Sequence, residues 1–114
     1  MSECLFCRIV GRQVPAQIVA EEPEFMAFRD INPQAPTHLL IVPKEHIATL
    51  ADLTDQTSAL AGKAMLLANR LAKEQGITEQ GYRVVVNCGS GAGQSVFHIH
   101  WHLLGGRRMS WPPG

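Results

Sequence analysis

The sequence predicts an α+β fold: a mainly antiparallel sheet of five strands, one long helix on one face and a short helix at the N-terminus. Two observations carry this. Five short apolar or alternating runs read as strands, and most follow one another through brief links punctuated by Gly and Pro. A single segment keeps helical periodicity over several turns, between Thr54 and Gly76. The chain has 114 residues, which fits one domain, 1–114, whose last stretch, 105–114, reads as a tail.

Residues 4–10 are short and mostly apolar, enough for one or two helical turns. Residues 18–20 and 25–28 are β-type runs separated by Glu21-Glu22-Pro23-Glu24, a spacing that suits a hairpin. Residues 30–36 hold Asn32, Pro33 and Pro36 and form a loop. Residues 37–42 make an apolar strand ended by Pro43. In the long helix Thr54 is the N-cap and Asp55 favours the positive end of the dipole. Leu60, Ala64, Leu67 and Leu71 recur at helical spacing, and Gly76 stands where a C′ glycine belongs. Residues 82–87 form a Val-rich strand, 88–94 a Gly loop and 96–104 the last strand. The tail has too much Gly and Pro to be regular.

Composition narrows the function. Hydrophobic residues make up 46% and charged residues 18%, a globular balance. Ten Lys+Arg offset ten Asp+Glu, so no global field gathers nucleic acid or an anionic membrane. Any phosphate must be held by local donors. No apolar run approaches a membrane span, and Met1-Ser2-Glu3-Cys4 has no basic region followed by an apolar core. The expectation is a soluble, cytoplasmic protein with neither nucleic-acid nor membrane partners. Three Cys are too few for a disulfide scaffold.

Three of the five His fall in His98-Ile99-His100-Trp101-His102. Side chains alternate faces along a strand, so the three imidazoles share one side and Ile99, Trp101 and Leu103 take the other. Two chemistries suit such a row. Paired His can ligate zinc. Imidazole also titrates near neutrality, so one ring can act as nucleophile while another donates a proton. The preceding loop, 87–95, tips the balance toward phosphate: Gly89, Gly91 and Gly93 expose backbone N–H groups, and Ser90 and Ser95 add hydroxyls. The Gly spacing leads into a strand, so it is not a dinucleotide fingerprint.

Gly93-Gln94-Ser95-Val96-Phe97-His98-Ile99-His100-Trp101-His102-Leu103-Leu104 resembles the signature of the histidine triad (HIT) family, His-φ-His-φ-His-φ-φ with φ apolar. Residues 28–38, Pro43-Lys44-Glu45-His46-Ile47, residues 81–87 and the ending Trp111-Pro112-Pro113-Gly114 are similar to its Hint branch, the nucleoside phosphoramidases. The resemblance covers the chain from about Cys4 onward.

That resemblance implies a HIT fold whose sheet continues across a homodimer, with the tail carrying Trp111 toward the partner's site. It implies hydrolysis of purine nucleoside 5′-phosphoramidates through a nucleotidyl-histidine intermediate, releasing AMP or GMP, with no cofactor required for catalysis. His100 would be the nucleophile. His102, Asn87, the Gly93, Gln94 and Ser95 backbone and the Ser95 hydroxyl would hold the phosphate and leaving group. Asp30 would accept from the ribose hydroxyls, Phe28 and Ile31 would line the base pocket, and His38 would be a fourth active-site His.

Each of these residues also has a plain structural role open to it. Asp30 suits an Asx turn, His38 a core position, Phe28 the core and Asn87 a loop cap. A dinucleoside polyphosphate hydrolase, a nucleotide-binding scaffold with incidental catalysis, and a zinc hydrolase using the triad as ligands are the rival functions.

Cys4-Leu5-Phe6-Cys7 departs from the closest Hint-type pattern. Many bacterial HIT proteins carry such a pair together with a His after Pro-Lys, here His46. The resemblance therefore implies a structural zinc on Cys4, Cys7, His46 and His98. Ordinary packing of two reduced Cys is one alternative, and a Cys4–Cys7 disulfide, disfavoured in a reducing compartment, is the other.

Overall fold

The structure is a computed structural model and describes residues 3–114. Met1 and Ser2, which the single-domain reading includes, lie outside the described residues.

Five antiparallel strands form one sheet in the order β1-β2-β3-β5-β4. They are β1 Ile18–Glu21, β2 Phe25–Arg29, β3 Thr37–Pro43, β4 Tyr82–Val85 and β5 Trp101–Gly105. Helix α1, Leu5–Val10, covers one face, and helix α2, Ser58–Glu74, covers the other. The predicted fold is therefore the one observed, apart from assembly, which a single chain does not display.

The central strand β3 is buried at every residue because helices cover it on both sides. Leu39 and Ile41 face α2, where Leu60, Ala64, Leu67, Ala68, Leu71 and Ala72 form the helix stripe. Leu40 and Val42 face α1 and meet Phe6 and Ile9. A 3-10 turn, Asp55–Thr57, lies between the predicted cap Thr54 and α2, so Thr54 caps that turn rather than the α-helix itself. Gly76 has φ +74°, the left-handed conformation expected just past a helix end.

The last strand begins at Trp101 and not at residue 96. The segment before it takes its hydrogen bonds from loops instead of a ladder. The Ile99 N–H donates to the Ile47 carbonyl (2.6 Å), and the His98 ring binds the Pro43 carbonyl (2.7 Å). Strand β4 likewise stops at Val85, two residues short of the predicted end. At the other boundary Gly105 belongs to β5 and pairs with Thr37 and Tyr82. A Cβ there would lie 2.5 Å from Ile77 Cδ1, so glycine is what lets α2's following segment approach the strand. Among the described residues no helix is long and apolar enough to cross a membrane.

Candidate active site

The alternation predicted for the His row holds in space. Ile99, Trp101 and Leu103 join the α2-side core, and the three imidazoles take the α1 side. That side is not left open along its whole length. Phe6 of α1 covers His98 and His100, which are buried, while His102 is partly exposed.

Each imidazole has a definable tautomer, assigned from its partners. His100 Nδ1 lies 2.7 Å from the His98 carbonyl, which can only accept, so Nδ1 carries the proton and Nε2 keeps a lone pair. On His38 the Gln34 N–H donates to Nδ1 (3.0 Å), so the proton of neutral His38 is on Nε2. That Nε2 lies 2.9 Å from His102 Nδ1 and 3.4 Å from Asp30 Oδ2. His102 Nδ1 thus accepts, and its own proton is on Nε2. The pair of rings His100 and His102, 4.9 Å apart, therefore presents one bare nitrogen and one N–H donor. Burial holds the pKa of His100 below the ordinary imidazole value, against the opposing bond to the His98 carbonyl and the charge of Asp30. Burial, then the neighbouring rings of His100 and His38, push His102 down to about 4, with Asp30 opposing. Both rings are neutral at pH 7.

The loop before the triad is shaped by two glycines at positive φ, Gly89 (+89°) and Gly93 (+94°), around a 3-10 turn at Ser90–Ala92. Gln94 turns inward and is 3% exposed. Its Oε1 accepts from the Gly89 N–H (2.8 Å), and its Nε2 donates to the Ala48 and Val96 carbonyls (2.8 and 3.0 Å). Its side chain is committed to the loop, which leaves its backbone for the phosphate-holding role expected of it. Ser95 is exposed, and Asn87 is half-buried beside Gly93. Nothing in the sequence marks the Gln94 side chain as inward except its place between a Gly loop and an apolar strand.

Asp30 makes the Asx turn that its sequence context allows: Oδ1 accepts from the Asn32 N–H (2.9 Å). Its other oxygen faces His38. A pocket of about 630 Å³ adjoins, lined by Pro15, Ala16, Gln17, Asp30, Ile31 and His38 among others. Ile31 is 97% exposed at its mouth, whereas Phe28 is buried edge-on against Phe6 at 5.5 Å and is a core residue here. Pro15, Ala16 and Gln17 line this pocket and were not singled out by sequence reasoning, because they precede β1 with no motif of their own.

Cys4, Cys7, His46 and His98 converge behind the triad, with one ligand atom from each inside 4.8 Å of the others. His98 Nδ1 lies 3.4 Å from Cys4 Sγ, 3.6 Å from Cys7 Sγ and 3.2 Å from His46 Nδ1; Cys7 Sγ lies 3.3 Å from His46 Nδ1. Tetrahedral zinc with bonds of about 2.0–2.3 Å separates its ligands by roughly 3.3–3.8 Å. His98 Nε2 donates to the Pro43 carbonyl, so Nδ1 is bare, and a single lone pair faces three polar atoms. The donor set fits zinc. Asp30, His38 and His102 also bring ligand atoms together, but there hydrogen bonds already join the nitrogens.

A family model described as HIT domain matches residues 11–109. The fold superposes on the crystal structure of a HIT family hydrolase from Legionella pneumophila with TM-score 0.96 and 55% identity, covering 98% of this chain and 100% of that one. An uncharacterized HIT-like protein of Synechococcus elongatus is 49% identical over all of both chains. The 14 kDa zinc-binding protein of Zea mays is 47% identical over 99% of this chain and 89% of its own.

Proposed function

This chain belongs to the HIT family as a hydrolase-like member, and from that premise we propose that it hydrolyses purine nucleoside 5′-phosphoramidates, releasing AMP or GMP. One observation supports this most. The His98 carbonyl fixes the proton of His100 on Nδ1, so Nε2 is a permanent lone pair in a neutral ring beside a neutral N–H donor, His102.

In the first step His100 Nε2 attacks the α-phosphorus, and the P–N bond to the leaving amine breaks as the amine takes up a proton. The His102 Nε2–H meets the leaving group or a phosphoryl oxygen. The Gly93 to Ser95 backbone, the Ser95 hydroxyl and Asn87 hold the remaining oxygens, whose charge grows in the transition state. In the second step water attacks the same phosphorus, the phosphorus–imidazole bond breaks, and the nucleotide leaves with His100 regenerated. Asp30 Oδ2 accepts from a ribose hydroxyl, and the base lies in the pocket between Ile31 and Pro15-Ala16.

Cys4, Cys7, His46 and His98 would hold a zinc ion with four protein ligands, and what it would supply is a cross-link between α1 and the sheet. The reading also includes a homodimer. Strand β4 ends the sheet with its outer edge unpaired among the described residues, and Trp111 stands 83% exposed beside the groove along Val84 to Asn87.

The test is AMP release from adenosine 5′-phosphoramidate and from lysyl-AMP without added metal, with capture of a nucleotide on His100 under an alkaline denaturing quench, which spares the acid-labile phosphorus–imidazole bond. Turnover with an adduct supports the reading. Absence of turnover on both, or turnover only on dinucleoside polyphosphates, removes it. Light scattering at micromolar concentration reads the assembly, and a monomer removes the dimer.

A further inference from the structure

Helix α1 sends Cys4 from its N-cap and Cys7 from its first turn into the Cys/His cluster and sets Phe6, between them, against the triad. Cys4 caps the helix, its Sγ accepting from the Cys7 N–H at 3.4 Å. One turn of chain thus carries two cluster sulfurs with Phe6 between them. The Phe6 ring, 4% exposed, meets His100 edge-to-face, with centroids 5.0 Å apart and planes at 90°. It also meets His98 at 5.9 Å and Phe28 at 5.5 Å. Among the described residues His100 has a single polar tether, from Nδ1 to the His98 carbonyl. That bond restrains one atom and leaves the ring to tilt about it. A perpendicular aromatic wall removes the tilt and keeps water off that side.

We propose that Phe6 is a positioning residue for His100, and that the Cys4–Cys7–His46–His98 cluster serves the site by clamping α1 so that Phe6 stays against the ring. The inference rests on the nucleophilic role given to His100 above. The cluster reaches His100 twice: through Phe6, and through the backbone of His98, whose side chain enters the cluster while its carbonyl holds Nδ1. A shift of α1 therefore changes the aim of Nε2 without touching the phosphate loop or Asp30. In-line attack depends on alignment, and a small misplacement costs rate while leaving ground-state binding intact.

The test compares Phe6→Leu, which keeps an apolar side chain but not the flat wall, with Ile9→Val. Ile9 is buried on the same helix and packs in the same cluster of apolar residues, but has no aromatic ring to set against His100. Phe6→Leu is expected to lower kcat about tenfold, with KM and the AMP dissociation constant within twofold. Cys7→Ser is expected to reproduce that split, and Ile9→Val to leave kcat unchanged. The second readout is NMR of the imidazole N–H protons: the His100 Nδ1–H signal should exchange faster with water in Phe6→Leu and Cys7→Ser only. Wild-type kcat and exchange in Phe6→Leu overturn the proposal, as do parallel losses in Ile9→Val. Failure of wild-type protein to release AMP counts against the proposed function alone, because the exchange measurement still judges Phe6.

Discussion

His38 Nε2 lies 2.9 Å from His102 Nδ1, and the direction of that bond is set by a backbone group four residues before His38, the Gln34 N–H on its Nδ1. The peptide geometry of the 30–36 loop thus dictates that the proton of neutral His102 sits on Nε2. A protonated His38 would turn a second N–H against Gln34, so the same bond disfavours the cation, as burial of His38 also does.

Acid stability follows from this arrangement. The pKa of His102 falls from 6.5 to about 4 on folding, so between those values the unfolded chain binds the proton first. Stability is full above about pH 6.5 and is lost as the pH drops toward 4, by an upper bound of about 3 kcal/mol for this group. Urea unfolding at pH 7, 6 and 5 measures it. His102→Asn should flatten the slope by up to one proton. An unchanged slope would show that His102 does not carry the effect.

Removing the nucleophile should separate binding from chemistry. His100→Asn is expected to lower kcat at least about 10³-fold while AMP binds within a few-fold of wild type, since the loop and Asp30 are untouched. Single-turnover assays and AMP titration read the two quantities. A rate near wild type would eliminate attack by His100.

The buried amide of Gln94 makes three hydrogen bonds that tie Gly89, Ala48 and Val96 together. Gln94→Ala strands those partners and should cost about 2–3 kcal/mol in urea unfolding. The loop also loses its brace, so phosphate binding should weaken more than in a surface control such as Lys73→Ala. Equal AMP affinity in both variants would show that the loop shapes itself without Gln94.

How far the sequence speaks can be judged at particular residues. The α2 stripe and Gly76 were legible because their causes are local: helical spacing and a left-handed φ just past a helix end. The three-His face was legible because strand alternation continues through His98 and His100 even where the ladder does not. The break at residues 98–100 was not, since it depends on the Ile47 and Pro43 carbonyls some fifty residues away. The roles of Phe28 and Gln94 depend in the same way on what packs over them. Phe6 closes over Phe28, and the Gly89 N–H claims Gln94. The Cys/His grouping came from resemblance, and the close approach of its four donor atoms is the physical support for it.

Zinc analysis gives the last prediction. Protein purified without a His-tag should carry about one zinc per chain, and Cys4→Ser or Cys7→Ser should lose it. His98 explains why the loss reaches beyond the N-terminus. Its Nδ1 faces both sulfurs and His46, and its Nε2 anchors the end of β3 through Pro43. Without the ion, that lone pair stays buried among atoms that cannot all satisfy it, and α1 loses its fastening to the sheet. The melting temperature is then expected to fall by on the order of 10 °C. Brief chelator exposure that leaves the bound zinc in place should leave AMP release intact, because the four protein ligands leave no coordination position for substrate. Metal-free protein with an unchanged melting temperature would reduce Cys4 and Cys7 to packing residues. Activity lost on chelation while the cluster still holds its zinc would instead place another metal among the reacting groups, whereas a roughly tenfold fall on full zinc removal is what release of the α1 clamp produces.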